Sequence, residues 1–422
     1  MSRSGRLILS ALLVMFLFMA CVTSMPSTAI PTSTPNSVVA ATFTVAPAAT
    51  TIPTGIPSAT AYIPIFDSFK PIARLHLADS ERILNMMPES DGTAWLLTDQ
   101  RAMQYSQGTW NEYLPPFSGK IIGIDSKQHL WVVSDDGDQV SVWDGSAWTN
   151  MGPETGWETP TPDNDVELTW SIATDALDHI WLGANRDVRM FDGLKWKVFD
   201  LKDLGIPRPE IEDAYSRTTV AFLKVSGYIW VNHCYWIDLG PVGGGGARWY
   251  DGHNWHGSDS PVAPGCAAVV NEDNDGNIWL GLDKNLWRLN TSMNSWKRFP
   301  APEPPEDGWF GFFSDLAVDA VGNPWPELTR CGGASCFTGS VRYQVTGGQW
   351  LQIGDVAFDN SFLYFDAAGQ GWVFKYDTFF HLIDHQLILV AELPILEVAA
   401  APSGKLWFIG KYKGETWLWA QS

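Results

Sequence analysis

Residues 273–281, Asp273-Asn274-Asp275-Gly276-Asn277-Ile278-Trp279-Leu280-Gly281, hold the reading on which the fold depends. A cluster of Asp, Asn and Gly is followed at once by a β-branched residue and an aromatic, the pattern of a tight turn feeding a buried strand. A second copy has Ser171-Ile172-Ala173-Thr174-Asp175 ahead of the turn and Ile180-Trp181-Leu182-Gly183 behind it. Working outward, the apolar-Trp centre recurs as Ala94-Trp95, Leu130-Trp131, Ile180-Trp181, Ile229-Trp230, Ile278-Trp279, Pro324-Trp325, Gly371-Trp372 and Leu406-Trp407. The intervals are 36, 50, 49, 49, 46, 47 and 35 residues. Self-similarity at such a period marks a repeat architecture with one small sheet per unit.

The later half of each unit is as regular, with Asp144-Gly145-Ser146-Ala147-Trp148, Asp192-Gly193-Leu194-Lys195-Trp196 and Asp251-Gly252-His253-Asn254-Trp255, and weaker copies ending at Trp110, Trp296 and Trp350. Asp-Gly favours the positive φ of a two-residue hairpin, so these runs read as the third and fourth strands of a four-stranded unit. The repeated Trp residues are expected to form core between units, each hiding roughly 150–250 Å². The turn Asp residues are expected to satisfy backbone donors.

The D-x-x-G-x-I-W-L-G and D-G-x-x-W units resemble the two-component regulator propeller repeat, over essentially all of Leu75 to Ala420. The likeness is strongest at Asp175–Gly183 and Asp273–Gly281 and weakest in the last two units, which keep the Trp and lose the following Gly. It implies an all-β fold, a single closed β-propeller, and a role in ligand sensing. Eight four-stranded blades are expected, with seven as the alternative. The last unit, from Leu396, has room for three strands only, and Ile72–Leu77 has the alternation to supply the fourth. Such closure removes exposed sheet edges. Kinase-linked members continue into further domains whereas this sequence stops at Ser422, so a partner is expected to relay any signal.

Ahead of the repeats lie Arg3, Arg6, an apolar run from Leu7 to Ala20, and Cys21. The run is shorter than the roughly 20 residues a bilayer core requires, which makes residues 1–20 a signal peptide. Phe18-Met19-Ala20-Cys21 resembles a bacterial lipobox with Phe in place of the usual Leu, and implies a lipid on Cys21; ordinary cleavage and secretion is the fallback. Residues 21–62, built almost wholly of Thr, Ser, Pro, Ala and Val, read as a disordered tether, and 63–422 as the propeller. The expected location is the bacterial cell envelope, outside the cytoplasm, with the lipid as the only membrane attachment.

Net charge is −20, which argues against nucleic acid as a partner. With Cys21 lipidated, Cys234, Cys266, Cys331 and Cys336 form an even set in an oxidising compartment. Cys331 with Cys336 and Cys234 with Cys266 is the first pairing of three that are formally open. No metal or cofactor is expected: CxxC spacing is lacking, and an EF-hand reading of Asp273–Asn277 fails at Ile278 and Lys284.

In a propeller, second-to-third-strand and blade-to-blade connections share one face. Variation gathers in those connections, above all between Trp230 and Trp255 and between Trp325 and Trp350, both of which contain cysteine. Loop residues there supply aromatics (Trp157, Tyr215, Trp236, Trp309, Phe310), acids (Glu158, Glu212, Asp213, Asp307) and His233. Singly such residues pack long loops; as a set on one face they point to a ligand, either a glycan held by stacking and hydroxyl hydrogen bonds or a peptide. No residue set commits the chain to catalysis. The rival functions are a polysaccharide lyase or hydrolase on a propeller scaffold, and an envelope scaffold for protein–protein contact; a monomer is expected.

Overall fold

The computed structural model describes residues 65–422 apart from 91, 161–168, 207–214, 238–239, 258–259, 261–268, 283, 304–308, 333–334 and 354–360. Their strands form eight four-stranded antiparallel sheets. Seven are consecutive in the chain: blade 1 (Ile83–Tyr113), blade 2 (Gly119–Met151), blade 3 (Ser171–Asp200), blade 4 (Tyr215–His256), blade 5 (Val269–Pro300), blade 6 (Trp309–Gln352) and blade 7 (Phe362–Glu392). Blade 8 takes Ile395–Ala400, Leu406–Tyr412 and Glu415–Gln421, and its outer strand is the N-terminal Phe69–Leu75. The protein is therefore an all-β, eight-bladed β-propeller; the seven-blade alternative is excluded. The closing strand begins three residues before the expected Ile72.

Each seam between blades carries one of the repeated Trp residues. Trp407 packs on Leu96 of blade 1, Trp95 on Val132 of blade 2, Trp131 on Leu182 of blade 3 and Trp181 on Val231 of blade 4. Trp230 then meets Leu280, Trp279 meets Leu328, Trp325 meets Val373, and Trp372 meets Phe408, which returns to blade 8. Burying one indole is worth about 4–6 kcal/mol at ~25 cal/mol per Å², before ordering entropy is set against it. Eight such seams close the ring.

The turn Asp does more than the sequence alone indicates. In blade 5, Asp273 Oδ1 accepts the backbone N–H groups of Asp275 (3.1 Å) and Asn277 (2.9 Å), while Oδ2 accepts the indole N–H of Trp279 (2.9 Å). Asp125 with Trp131, Asp175 with Trp181, Asp319 with Trp325 and Asp366 with Trp372 repeat this clamp six residues apart. The Gly of the motif has its own cause: a Cβ on Gly281 would stand 2.4 Å from the Phe313 ring of blade 6, and one on Gly183 would stand 2.7 Å from the Thr218 carbonyl of blade 4.

Blades 4 and 6 depart from the pattern. The stretches expected as loop insertions are strand: blade 4 runs Tyr215–Leu223, Tyr228–Ile237 and Gly240–Tyr250, and blade 6 runs Trp309–Val318, Pro324–Gly332 and Ser335–Thr346. Blade 3 manages with strands of four and five residues. The extra length stays paired, in unbroken register between Tyr215 and Trp236 and through bulges between Trp309 and Cys331, because continued ladder pairing satisfies backbone groups that an open loop would leave to water.

Candidate functional site at the channel mouth

The first strand of every blade is innermost, so eight free strand edges line the central channel. Each first strand starts at the end where the extended strands of blades 4 and 6 project, and finishes at the end carrying the Asp-Gly hairpins. The residues opposite the seam Trp fix the level: Ala221 in blade 4, Ala317 in blade 6, Tyr364 in blade 7 and Ala399 in blade 8. Ionisable residues of blades 4, 6 and 8 lie on the loop side of that level, whereas Glu272 of blade 5 lies on the hairpin side and accepts the Val225 and Ser226 backbone N–H groups. Arg217 stands four residues before Ala221, Asp315 two before Ala317, and Glu397 two before Ala399.

These groups differ in how they are satisfied. Asp315 accepts from Arg342 at 2.8 Å, and fully buried Arg342 also donates to Glu327 at 2.5 Å. Glu327 further accepts the hydroxyls of Ser340 (2.7 Å) and Ser361 (2.8 Å). It holds in blade 6 the place that Gly183 and Gly281 hold in theirs, two residues after the Trp. Burial pushes its carboxyl up. Glu397 has no such partner among the described residues: burial raises its carboxyl to about 8, against a backbone hydrogen bond that lowers it. Tyr364, beside it, donates its hydroxyl to the Val398 carbonyl at 3.0 Å. Arg217 is half-buried, and desolvation alone lowers its guanidinium.

Two residues read as exposed loop candidates are buried. Trp157 is 2% exposed; it packs edge-on against Trp196, donates its indole N–H to the Gly137 carbonyl at 3.0 Å, and lies under Arg189 at 4.6 Å. His233 is fully buried between blades 3 and 4, its Nδ1 2.8 Å from Thr218 Oγ1. Burial first, and Arg186 second, lower its imidazole to about 3, so it is neutral. Both are therefore buried rather than exposed: His233 because alternate residues of its strand face the next blade, Trp157 because the segment after the Pro153–Thr155 turn folds down onto Trp196.

Glu158 is exposed, with its backbone carbonyl accepting from Arg189. Tyr215 and Trp236 are register partners at the outer end of blade 4, and Trp309 and Phe310 open the first strand of blade 6 opposite Cys331 and Arg330. Cys331 and Cys336 face one another in neighbouring strands, and Cys234 is disulfide-bonded. Cys21, Cys266, Glu212, Asp213 and Asp307 lie outside the described residues.

Sequence reasoning missed Arg217, Asp315, Glu327, Arg342, Tyr364 and Glu397. A signal existed: aligned on the Trp, the first strands of the cleanest units are Ser171-Ile172-Ala173-Thr174 and Val269-Val270-Asn271-Glu272, and charges in the upper half of that strand break the pattern.

Fold and site together define an all-β propeller with a polar, partly charged channel mouth. No family model matches the chain, and no curated protein matches it. Among solved structures it is similar to the Dos1 propeller (TM-score 0.50, 10% identity, 81% of this chain and 95% of that one). It is also similar to YCF48 bound to D1 peptide (0.44, 13%, 85% and 98%). A third is the extracellular domain of a putative hybrid two-component system from B. thetaiotaomicron (0.39, 14%, 82% and 51%). At these identities the likeness is one of fold.

Proposed function

We propose that the chain is an extracytoplasmic ligand-binding propeller, tethered through a lipid on Cys21, that takes a glycan at its loop face. The observation that carries this reading is the extension of blades 4 and 6 at one end of the ring only, where Arg217, Asp315 and Glu397 also lie. Phe69 pairs with Gln421, whose amide donates to Asp366 in a hairpin-side turn at 2.6 Å, so the N-terminal segment joins the ring at the hairpin end.

The test is a glycan and peptide binding screen on the full chain, repeated with Trp236→Ala and Trp309→Ala. Loss of a glycan hit in folded variants supports the reading; turnover of the hit would move it to a lyase or hydrolase. Cys21→Ser should shift the protein from the membrane to the soluble fraction. We also propose the pairs Cys331–Cys336 and Cys234–Cys266, which disulfide mapping by mass spectrometry checks.

A second reading, contact with an envelope protein, has its own observation. Leu177, Leu194, Val225, Met293 and Val321 are all 54–82% exposed, and all stand in hairpin-end turns of blades 3 to 6. Apolar tips gathered on one face are a feature of interaction surfaces. Cross-linking from Val321 in cell envelopes separates the two.

A further inference from the structure

We propose that Arg217 is the anion-accepting residue of the channel mouth and takes the carboxylate of an acidic sugar. This rests on the loop face being the ligand face and names the ligand's charge. The placement of Arg217 comes from its neighbours. Ser216 and Thr218 both turn to blade 3, donating to the Asn185 carbonyl at 2.7 and 3.2 Å, so alternation turns Arg217 away from that seam.

The buried guanidiniums of the protein are held from within. Arg189 has Asp187 at 2.8 Å, Arg248 has the carbonyls of Leu204 and Gly205 at 2.7 and 2.5 Å, and Arg342 has Asp315 and Glu327. Arg217 has neither a hydrogen bond nor an ion pair among the described residues, and burial is the only influence on its ionisation. In a chain of 47 acids and 27 bases, a partly desolvated cation without an acid is a group awaiting a partner.

The surroundings narrow the partner. A guanidinium is a monocation with a planar fork that matches a carboxylate in a bidentate fashion. The channel acids do not oppose an anion: Asp315 is held by Arg342 at 2.8 Å, and Glu397, four blades away across the ring, keeps its proton to about pH 8. Tyr215 stands two residues mouthward of Arg217 with Trp236 as its register partner.

Isothermal titration of the full chain with tri-galacturonate, a glucuronate-containing tetrasaccharide, galactotriose and a hexaglutamate peptide tests this. An acidic sugar should bind, weaken tenfold or more in Arg217→Gln and less in Arg217→Lys, and weaken with added salt, while the melting temperature of both variants stays that of the parent. Binding unchanged in Arg217→Gln, equal binding of galactotriose, or binding of the peptide alone would overturn it. Galactotriose or peptide binding lost in Trp236→Ala but kept in Arg217→Gln would sink this inference and leave the loop-face reading standing. Silence from all four probes would sink both.

Discussion

Blades 2, 3, 5, 6 and 7 clamp their seam Trp with an Asp six residues upstream; blades 1, 4 and 8 do not. At the equivalent place the latter have Glu89, Lys224 and Ala401, and the indole N–H groups of Trp95, Trp230 and Trp407 are buried without a partner among the described residues. Glu89 is turned aside to accept the Gln104 amide at 3.2 Å. All eight indoles are nonetheless at most 6% exposed. Burial of the ring is thus what makes a seam, and the Asp clamp is a separable contribution that orders the turn and satisfies one donor.

The largest test is truncation of the ring itself. Trp181→Ala and Trp407→Ala should each cost about 3–5 kcal/mol in urea unfolding, clamped or not; a mild Trp407→Ala would break the comparison. Next, Asp273→Ala removes a buried carboxylate that serves Asp275, Asn277 and Trp279, and should cost about 2–4 kcal/mol. Lys224→Ala, an exposed change at the same place in blade 4, should stay within about 0.5 kcal/mol.

A finer contrast keeps an aromatic in place. Trp279→Phe strands the carboxylate of Asp273, whereas Trp230→Phe removes an N–H that has no partner, so the first should be the costlier by about 1–2 kcal/mol. A separate contrast is read in pH, between two unclamped blades. Glu397 keeps its proton to about 8 when folded, above the ordinary 4.5, so stability should fall as pH rises from about 4.5 to 8. His233 refuses a proton until about 3, below the ordinary 6.5, so stability should fall as pH drops from 6.5 toward 3. Glu397→Gln should flatten the alkaline limb only, and His233→Gln the acid limb only, in melts across that range.

The fold was legible because a blade must be written locally. Trp181 and Trp279 sit in turns, strands and spacings that need no distant partner to be recognised, and three strands after Leu396 left one place for an N-terminal strand to fill. The site was legible only by region. Trp157 and His233 look like loop-face candidates by position, yet His233 is hidden by the side of its strand that faces blade 3 and Trp157 by a loop folded onto Trp196, and Arg217 looks like any surface cation.

By itself, then, the amino-acid order determined the repeat, the four-stranded unit, the closure of the ring and the end where variation collects, since each follows from spacing and alternation along the chain. Only the tertiary structure decided that the long connections are strands, which indoles have an acceptor, and which charges find partners. Those depend on distances between blades some 50 residues apart, and on the loss of water from the groups trapped between them.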